Sequence, residues 1–227
     1  MKSSVITFPG SNCDRDMDVA LKKFGFKNKM VWHADAELPK SDLVILPGGF
    51  SYGDYLRCGS MASKSKIMQS VINFANAGGM VMGICNGFQI LVETGLLPGV
   101  LLRNKYLEFI CKNVFVKLDN KENTYFKNLN KDVLEFHIAH NEGNYFCTKD
   151  QLKEIEDNNQ IAIYYSNANG QTDEKDNPNG STKNIAGIFN KEKNILGMMP
   201  HPERMIDKSL SGEDGSLFFK NLINNLK

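Results

Sequence analysis

The sequence predicts an α/β protein with a doubly wound, largely parallel central sheet and helices on both faces. Short apolar runs alternate with amphipathic helical stretches in three successive units, which is the pattern of strand–helix–strand crossovers. The runs at residues 43–46 and 80–84 are continuously apolar, as expected of strands covered on both faces. Apolar residues make up 41% and charged residues 23% of 227 positions, the balance of a chain that folds around a core. That length suits one domain, expected over residues 1–227.

Residues 4–8 favour a strand and end in Pro9-Gly10-Ser11-Asn12, after which Met17, Ala20, Leu21 and Phe24 recur at helical spacing. Gly25 marks the end of that helix, and residues 29–32 read as a second strand. The strand at 43–46 stops at Pro47-Gly48-Gly49. A polar, glycine-rich loop follows, then a helix with Ile67, Val71, Phe74 and Ala75 on one face, closed by Gly78-Gly79. The strand at 80–84 leads into a helix over residues 86–94, closed by Gly95 and Pro98. Beyond residue 101 the alternation weakens into strand candidates at 113–117, 135–139, 161–165, 185–189 and 195–198, so the second half is richer in strand. Residues 167–180 are crowded with turn formers and predict an exposed loop longer than most. A final helix offers Leu217, Phe218, Leu222 and Leu226 for packing.

Lys and Arg number 27 against 26 Asp and Glu, leaving a net charge of +1 and no excess to neutralise a phosphate backbone, so nucleic acid is not the expected partner. Residues 67–92 carry no charge, but Gln69, Ser70, Asn73, Asn76, Asn86 and Gln89 make a membrane span too costly, and no membrane is expected. The five cysteines are spread without a C-x-x-C pair or zinc-ligand spacing, and the start has no apolar leader. No metal is expected, and the expected location is the cytoplasm.

The most informative segment is Gly83-Ile84-Cys85-Asn86-Gly87-Phe88-Gln89, a glycine-flanked cysteine between a buried strand and a helix. A sharp strand-to-helix turn exposes a nucleophile in strained backbone, and flanking glycines remove side chains that would clash there. The helix N-terminus beneath the sulfur favours thiolate, the reactive form. Cys13, Cys58, Cys111 and Cys147 lack this arrangement and read as packed side chains. For the base, His201 stands out in Met199-Pro200-His201-Pro202-Glu203-Arg204, where the prolines predict extended backbone and place Glu203 on the side of His201. Cys85, His201 and Glu203 then form a triad by role. His137 and His140 fall in an alternating strand pattern and read as packing residues, with His140-Asn141-Glu142-Gly143 a candidate pocket border; His33 reads as a strand-end surface residue. Pro47-Gly48-Gly49 at a strand end is a candidate oxyanion site, with the backbone N–H groups of Gly49 and Asn86 as donors.

These segments, with Phe8 to Asp14, Phe50 to Asp54 and Asn177 to Ser181, resemble the triad-type, or class I, glutamine amidotransferases along most of the chain. The resemblance implies a flavodoxin-like fold of that class and hydrolysis of L-glutamine to glutamate and ammonia through a cysteine thioester. By it Cys85 is the nucleophile, His201 the acid and base, Glu203 its orienting partner, and Gly49, Phe50 and Gln89 contact glutamine. Asn141 departs from the glycine expected there. The resemblance further implies a role in purine biosynthesis, no cofactor in this chain, ATP and Mg on a large synthetase subunit, and a small third subunit, with the loop at 167–181 near the partner. The rival readings are a stand-alone thiol hydrolase and a non-catalytic binding module.

Overall fold

The computed structural model describes residues 1–209 and 212–227. In chain order the elements are β1 (Lys2–Thr7), α1 (Asp14–Lys23), β2 (Lys27–Trp32), β3 (Leu43–Leu46), α2 (Lys66–Asn76), β4 (Met80–Ile84), α3 (Asn86–Glu93), β5 (Val100–Leu102), β6 (Ile110–Leu118), β7 (Val133–His140), β8 (Asn144–Phe146), α4 (Lys149–Asp157), β9 (Ile161–Ser166), β10 (Ile185–Phe189), β11 (Ile195–Met198) and α5 (Asp214–Asn225). Nine strands form one sheet in the order β2-β1-β3-β4-β11-β10-β9-β6-β7, and β5 pairs with β8 apart from it.

The sheet has two halves of different character. From β2 to β11 every pair is parallel. From β11 to β7 every pair is antiparallel. Burial explains why the centre was easiest to read. Every residue of β3, β10 and β11 is buried, as is all of β4 after Met80, so both faces are covered and the sequence shows unbroken apolar runs. In β6 and β7 buried and less buried residues alternate, as in a sheet with one wetter face. Helix α1 packs on β1 and β2, α3 on β3, β4 and β11, and α5 on β7. Gly25, at φ +92°, ends α1 as anticipated, its N–H reaching Lys22 O.

Three expectations change. Residues 167–180 are not an exposed loop throughout: Asn179 is wholly buried, donating through Nδ2 to Gly143 O at 2.8 Å and to Tyr165 Oη at 3.2 Å. Residues 168–169 and 171–175 are exposed as anticipated, while Asn179 is polar because its amide satisfies buried backbone. The backbone after His201 is not extended but a 3-10 turn at Pro202–Arg204, for which Pro202 supplies a preset φ. Finally β5, β8 and α4 form where no element was anticipated. Among the described residues no helix is long and apolar enough to cross a membrane.

One of the two tightest backbone approaches is between α3 and β3. A methyl group built on Gly87 would lie 1.9 Å from Leu46 O, so the helix backbone rests directly on the strand. Gly87→Ala is expected to lower the unfolding free energy by about 2–3 kcal/mol in urea titrations, the scale of core overpacking. A loss under about 0.5 kcal/mol would show that the contact relaxes freely.

Candidate active site

Cys85 stands between β4 and α3 with φ +50° and ψ −105°, a conformation an L-residue holds only when its surroundings impose it. The surroundings do so from both sides. Cys85 N–H donates to Met198 O at 2.8 Å, continuing the β4–β11 pairing past the end of the strand. A methyl group on Gly83 would meet Gly87 O at 2.6 Å, so helix and strand need both glycines to fold back this closely. The sulfur of Cys85 lies 3.7 Å from Ala139 O, and the residue is 5% exposed.

β11 carries the chain to His201, whose N–H donates to His137 O at 2.8 Å. The ring Nδ1 donates to Glu203 Oε1 at 2.6 Å, and both residues are almost completely buried. The 3-10 turn brings Glu203 to the ring, and α5 supports the turn from behind: a methyl group on Gly215 would meet Pro202 O. Burial opposes the imidazolium, but the Glu203 carboxylate and then the Cys85 sulfur outweigh it, so the His201 pKa lies well above the ordinary value. The ring meets the cysteine over Gly48. A methyl group there would lie 2.6 Å from His201 Cε1 and 3.4 Å from Cys85 Cβ, so Gly48 leaves the space in which the two approach.

Gly49 follows at φ +136°, where its own methyl group would meet Asn12 N at 2.7 Å. Asn86, 2% exposed, accepts from Ser51 N–H at 3.2 Å and donates to Gln89 Oε1 at 2.9 Å. Gln89 Nε2 donates to Glu142 O at 2.6 Å. The two amides thus tie the 48–54 and 140–143 loops to α3. Phe50 is 42% exposed and stacks on Phe109, with ring centroids 6.4 Å apart, at the rim.

Several neighbours were given no catalytic part from the sequence. Cys13, read as packed, is buried as expected, but its sulfur accepts from Arg204 Nη2 at 3.1 Å and sits beside the His201 ring. Cys111, also read as packed, is exposed, 3.4 Å from His137 Nε2. Cys58 meets Asp54 and Glu142; burial and the two carboxylates push its thiol up, so it stays protonated. His140 is more than a packing residue. Its Nδ1 pairs with Asn104 Oδ1 at 3.1 Å, its Nε2 has no partner among the described residues, and burial, then the nearby His201, push it down to about 3. The sequence offered His140-Asn141-Glu142-Gly143 as a pocket border, the turn-like residues after a strand being the signal. His33 lies just past β2, half-buried, bonded to Tyr52 Oη at 2.7 Å.

A family model for the CobB/CobQ-like glutamine amidotransferase domain matches residues 1–213. A protein of Pelagibacter ubique named phosphoribosylformylglycinamidine synthase subunit PurQ is 81% identical over 227 residues, covering 100% of both chains. A Synechocystis protein of the same name is 51% identical over 217 residues, covering 95% of this chain and 97% of its own. The solved structure of PurLQS from Thermotoga maritima contains a chain 39% identical, with TM-score 0.87 and coverage of 100% and 99%. A glutamine amidotransferase of known structure from Thermotoga maritima, 16% identical with TM-score 0.61 and coverage of 100% and 96%, shares the fold.

His140 binds a proton below about pH 6.5 in the unfolded chain but only near 3 in the folded one. The unfolded state therefore gains protons first, and stability falls as pH drops through that window, by up to about 1.4 kcal/mol per pH unit. Urea midpoints of His140→Gln should fall less steeply than wild type between about pH 6.5 and 4.5. Parallel curves would mean that His140 is not held neutral.

Proposed function

Since the chain belongs to the CobB/CobQ-like glutamine amidotransferase domain family, we propose that it is the glutaminase subunit of a phosphoribosylformylglycinamidine synthase, hydrolysing L-glutamine for purine biosynthesis. The observation that carries the site assignment is the meeting of Cys85, held in strained backbone at a helix start, with a buried His201–Glu203 pair over Gly48.

The sulfur of Cys85 attacks the side-chain amide carbon of glutamine. The backbone N–H groups of Gly49 and Asn86 take the resulting oxyanion, fixed dipoles that need no reorganisation as charge develops. His201, favoured as imidazolium by Glu203, gives its Nε2 proton to the departing nitrogen, and ammonia leaves a glutamyl thioester on Cys85. The ring, now neutral, takes a proton from water, hydroxide attacks the thioester, and glutamate departs as the sulfur is restored. Glu203 holds the proton on Nδ1 throughout, so Nε2 is the atom that exchanges it. Phe50 and Gln89 border the glutamine, Gln89 by setting the Glu142 carbonyl as much as by direct contact.

Ammonia in neutral water protonates and loses its nucleophilicity, so it passes directly to a large synthetase subunit. That subunit binds ATP and Mg and converts formylglycinamide ribonucleotide to formylglycinamidine ribonucleotide; a small third subunit completes the complex. This chain needs no cofactor of its own. The segment around Asn177 to Ser181 lies toward the partner, its buried amides transmitting contact to Gly143. The free thiols fit a cytoplasmic setting.

Glutamate release from glutamine, measured with and without the synthetase subunit, tests the reading. Cys85→Ala should abolish it, and Glu203→Gln should lower kcat by about 10²–10⁴-fold with a smaller effect on KM. A glutamine analogue carrying an electrophile should label Cys85 alone. Hydrolysis at the wild-type rate by Cys85→Ala would falsify the assignment.

A further inference from the structure

A second cluster of reactive side chains lies on the outer face of β6 and β7, and hydrolysis as derived above uses none of them. Cys111 is exposed, and its Sγ lies 3.4 Å from His137 Nε2. On the other side of the ring, Nδ1 lies 3.0 Å from Asn113 Oδ1. The Asn113 amide donates through Nδ2 to Glu135 Oε1 at 3.2 Å, which leaves Oδ1 to accept the Nδ1 proton. His137 therefore turns the lone pair of Nε2 toward the thiol. Burial, then Arg204 and His201, hold its pKa below the ordinary value, so the ring is neutral and open to a proton. The backbone beside the thiol is open as well. Leu118 N–H bonds toward β7, to Asp132 O, and Asp119 N–H toward β9, to Ala162 O, so the odd-numbered residues of β6 turn their backbone groups to β9. β9 ends at Ser166, opposite Phe115, and the N–H and C=O of Asn113 and Cys111 face a strand position that the chain does not fill. A cavity of about 740 Å³ lies there, bordered by Cys111, Lys112, Asn113, Ser166 and Asp176 among others. Ser166 is 6% exposed, yet its Oγ has no hydrogen-bond partner among the described residues, and the same holds for Asp176 Oδ2.

We propose that Cys111, His137 and Asn113 form a thiol–disulfide exchange site that takes a short thiol peptide of the glutathione class and holds it as a mixed disulfide beside β6. The incoming disulfide is the only other reactant. Cys111 gives its proton to His137 Nε2, and its sulfur attacks the disulfide of the oxidised peptide. One S–S bond forms as another breaks, and the departing thiolate takes the proton from Nε2 and leaves as a free thiol. Cys111 is oxidised and the released sulfur is reduced. Recognition follows from the backbone, because an extended peptide pairs with Cys111 and Asn113 along the open edge and a small disulfide without peptide bonds does not. Charge adds to it. Within the cavity Glu174 faces Lys105 at 3.6 Å and Lys175 faces Asp173 at 3.4 Å. Lys112, Glu108 and Asp176 remain, one cation and two anions that complement the carboxylate and the ammonium of a zwitterionic amino-acid end.

Glutathione disulfide is the probe, and the readout is mass, independent of glutaminase activity. The full chain carries Cys85→Ala so that the catalytic sulfur does not compete. Its intact mass should rise by one glutathionyl group, which peptide mapping places on Cys111 and which Cys111→Ser removes. An ordinary thiol is only about 3% thiolate at pH 7, so a base that takes its proton raises the rate roughly tenfold or somewhat more. His137→Gln should slow modification of Cys111 by about that factor. Lys112→Gln should slow the reaction with glutathione disulfide and leave unchanged that with hydroxyethyl disulfide, an uncharged probe without peptide bonds. No adduct on Cys111, or an adduct formed as fast in His137→Gln, overturns the site. A Lys112→Gln variant that treats both probes as the parent protein does, or slows both equally, overturns the peptide as its ligand. Should His137→Gln fail to fold, Asn113→Ala decides, because it leaves the ring but removes the acceptor that orients it: a slower reaction supports the proposal, and an unchanged rate overturns it.

Discussion

Gly87 brings the first turn of α3 so close to the carbonyl of Leu46 that no side chain fits between them, and the rest of the site follows from this approach. With the helix seated on β3, the chain leaving β4 must reverse within one residue, and Cys85 takes the left-handed φ that the reversal requires. Gly83 admits the returning helix from the other side. The strain at Cys85 is sustained because backbone pairing to Met198 and the α3 packing fix it at both ends. The same β4–β11 pairing that holds the cysteine also delivers the histidine, so nucleophile and base share one structural cause.

Electrostatics divides the buried polar groups by task. His201 and Glu203 are sealed from water, where a lone charge would be costly, and each is tolerable because of the other. His140, at the end of β7, has no carboxylate partner and is kept neutral by burial, so two buried histidines close together differ in charge. Tyr165 is likewise kept protonated by burial and serves as acceptor for Asn179. Cys58, between two carboxylates, is the chemical opposite of a sulfur set at a helix start.

The centre of the sheet was legible because its strands are buried on both faces and written in unbroken apolar runs. β3, β4, β10 and β11 begin and end where the apolar runs do. β6 and β7 extend beyond the expected 113–117 and 135–139, since their outer residues, such as Lys112 and His140, belong to no apolar run. α4 was missed because it buries only Ile155, so amphipathic spacing is thin; the Thr148–Gln151 capping box was the available signal. At the site, the cysteine and the histidine announce themselves by their flanking glycines and prolines. Glu203 was found by the wrong route, extended spacing in place of a 3-10 turn. Gly48 and His140 were read from local pattern as part of an oxyanion turn and a pocket border, whereas Cys13 becomes a site residue only through contacts between elements distant in the chain, which no local pattern records.

The position of β11 bears on how the protein is made. Among the described residues it is the last strand of the nine in chain order, and it occupies the middle of the sheet, with β4 on one edge and β10 on the other. Until it docks, the amino-terminal layer of β2, β1, β3 and β4 and the carboxy-terminal layer of β10, β9, β6 and β7 are separate ribbons with open edges, and joining them needs contacts between distant parts of the chain. Nascent chains therefore carry the reactive sulfur without its proton carrier until β11 and the residues after it have emerged. The strand that completes the architecture is also the one that switches on the chemistry.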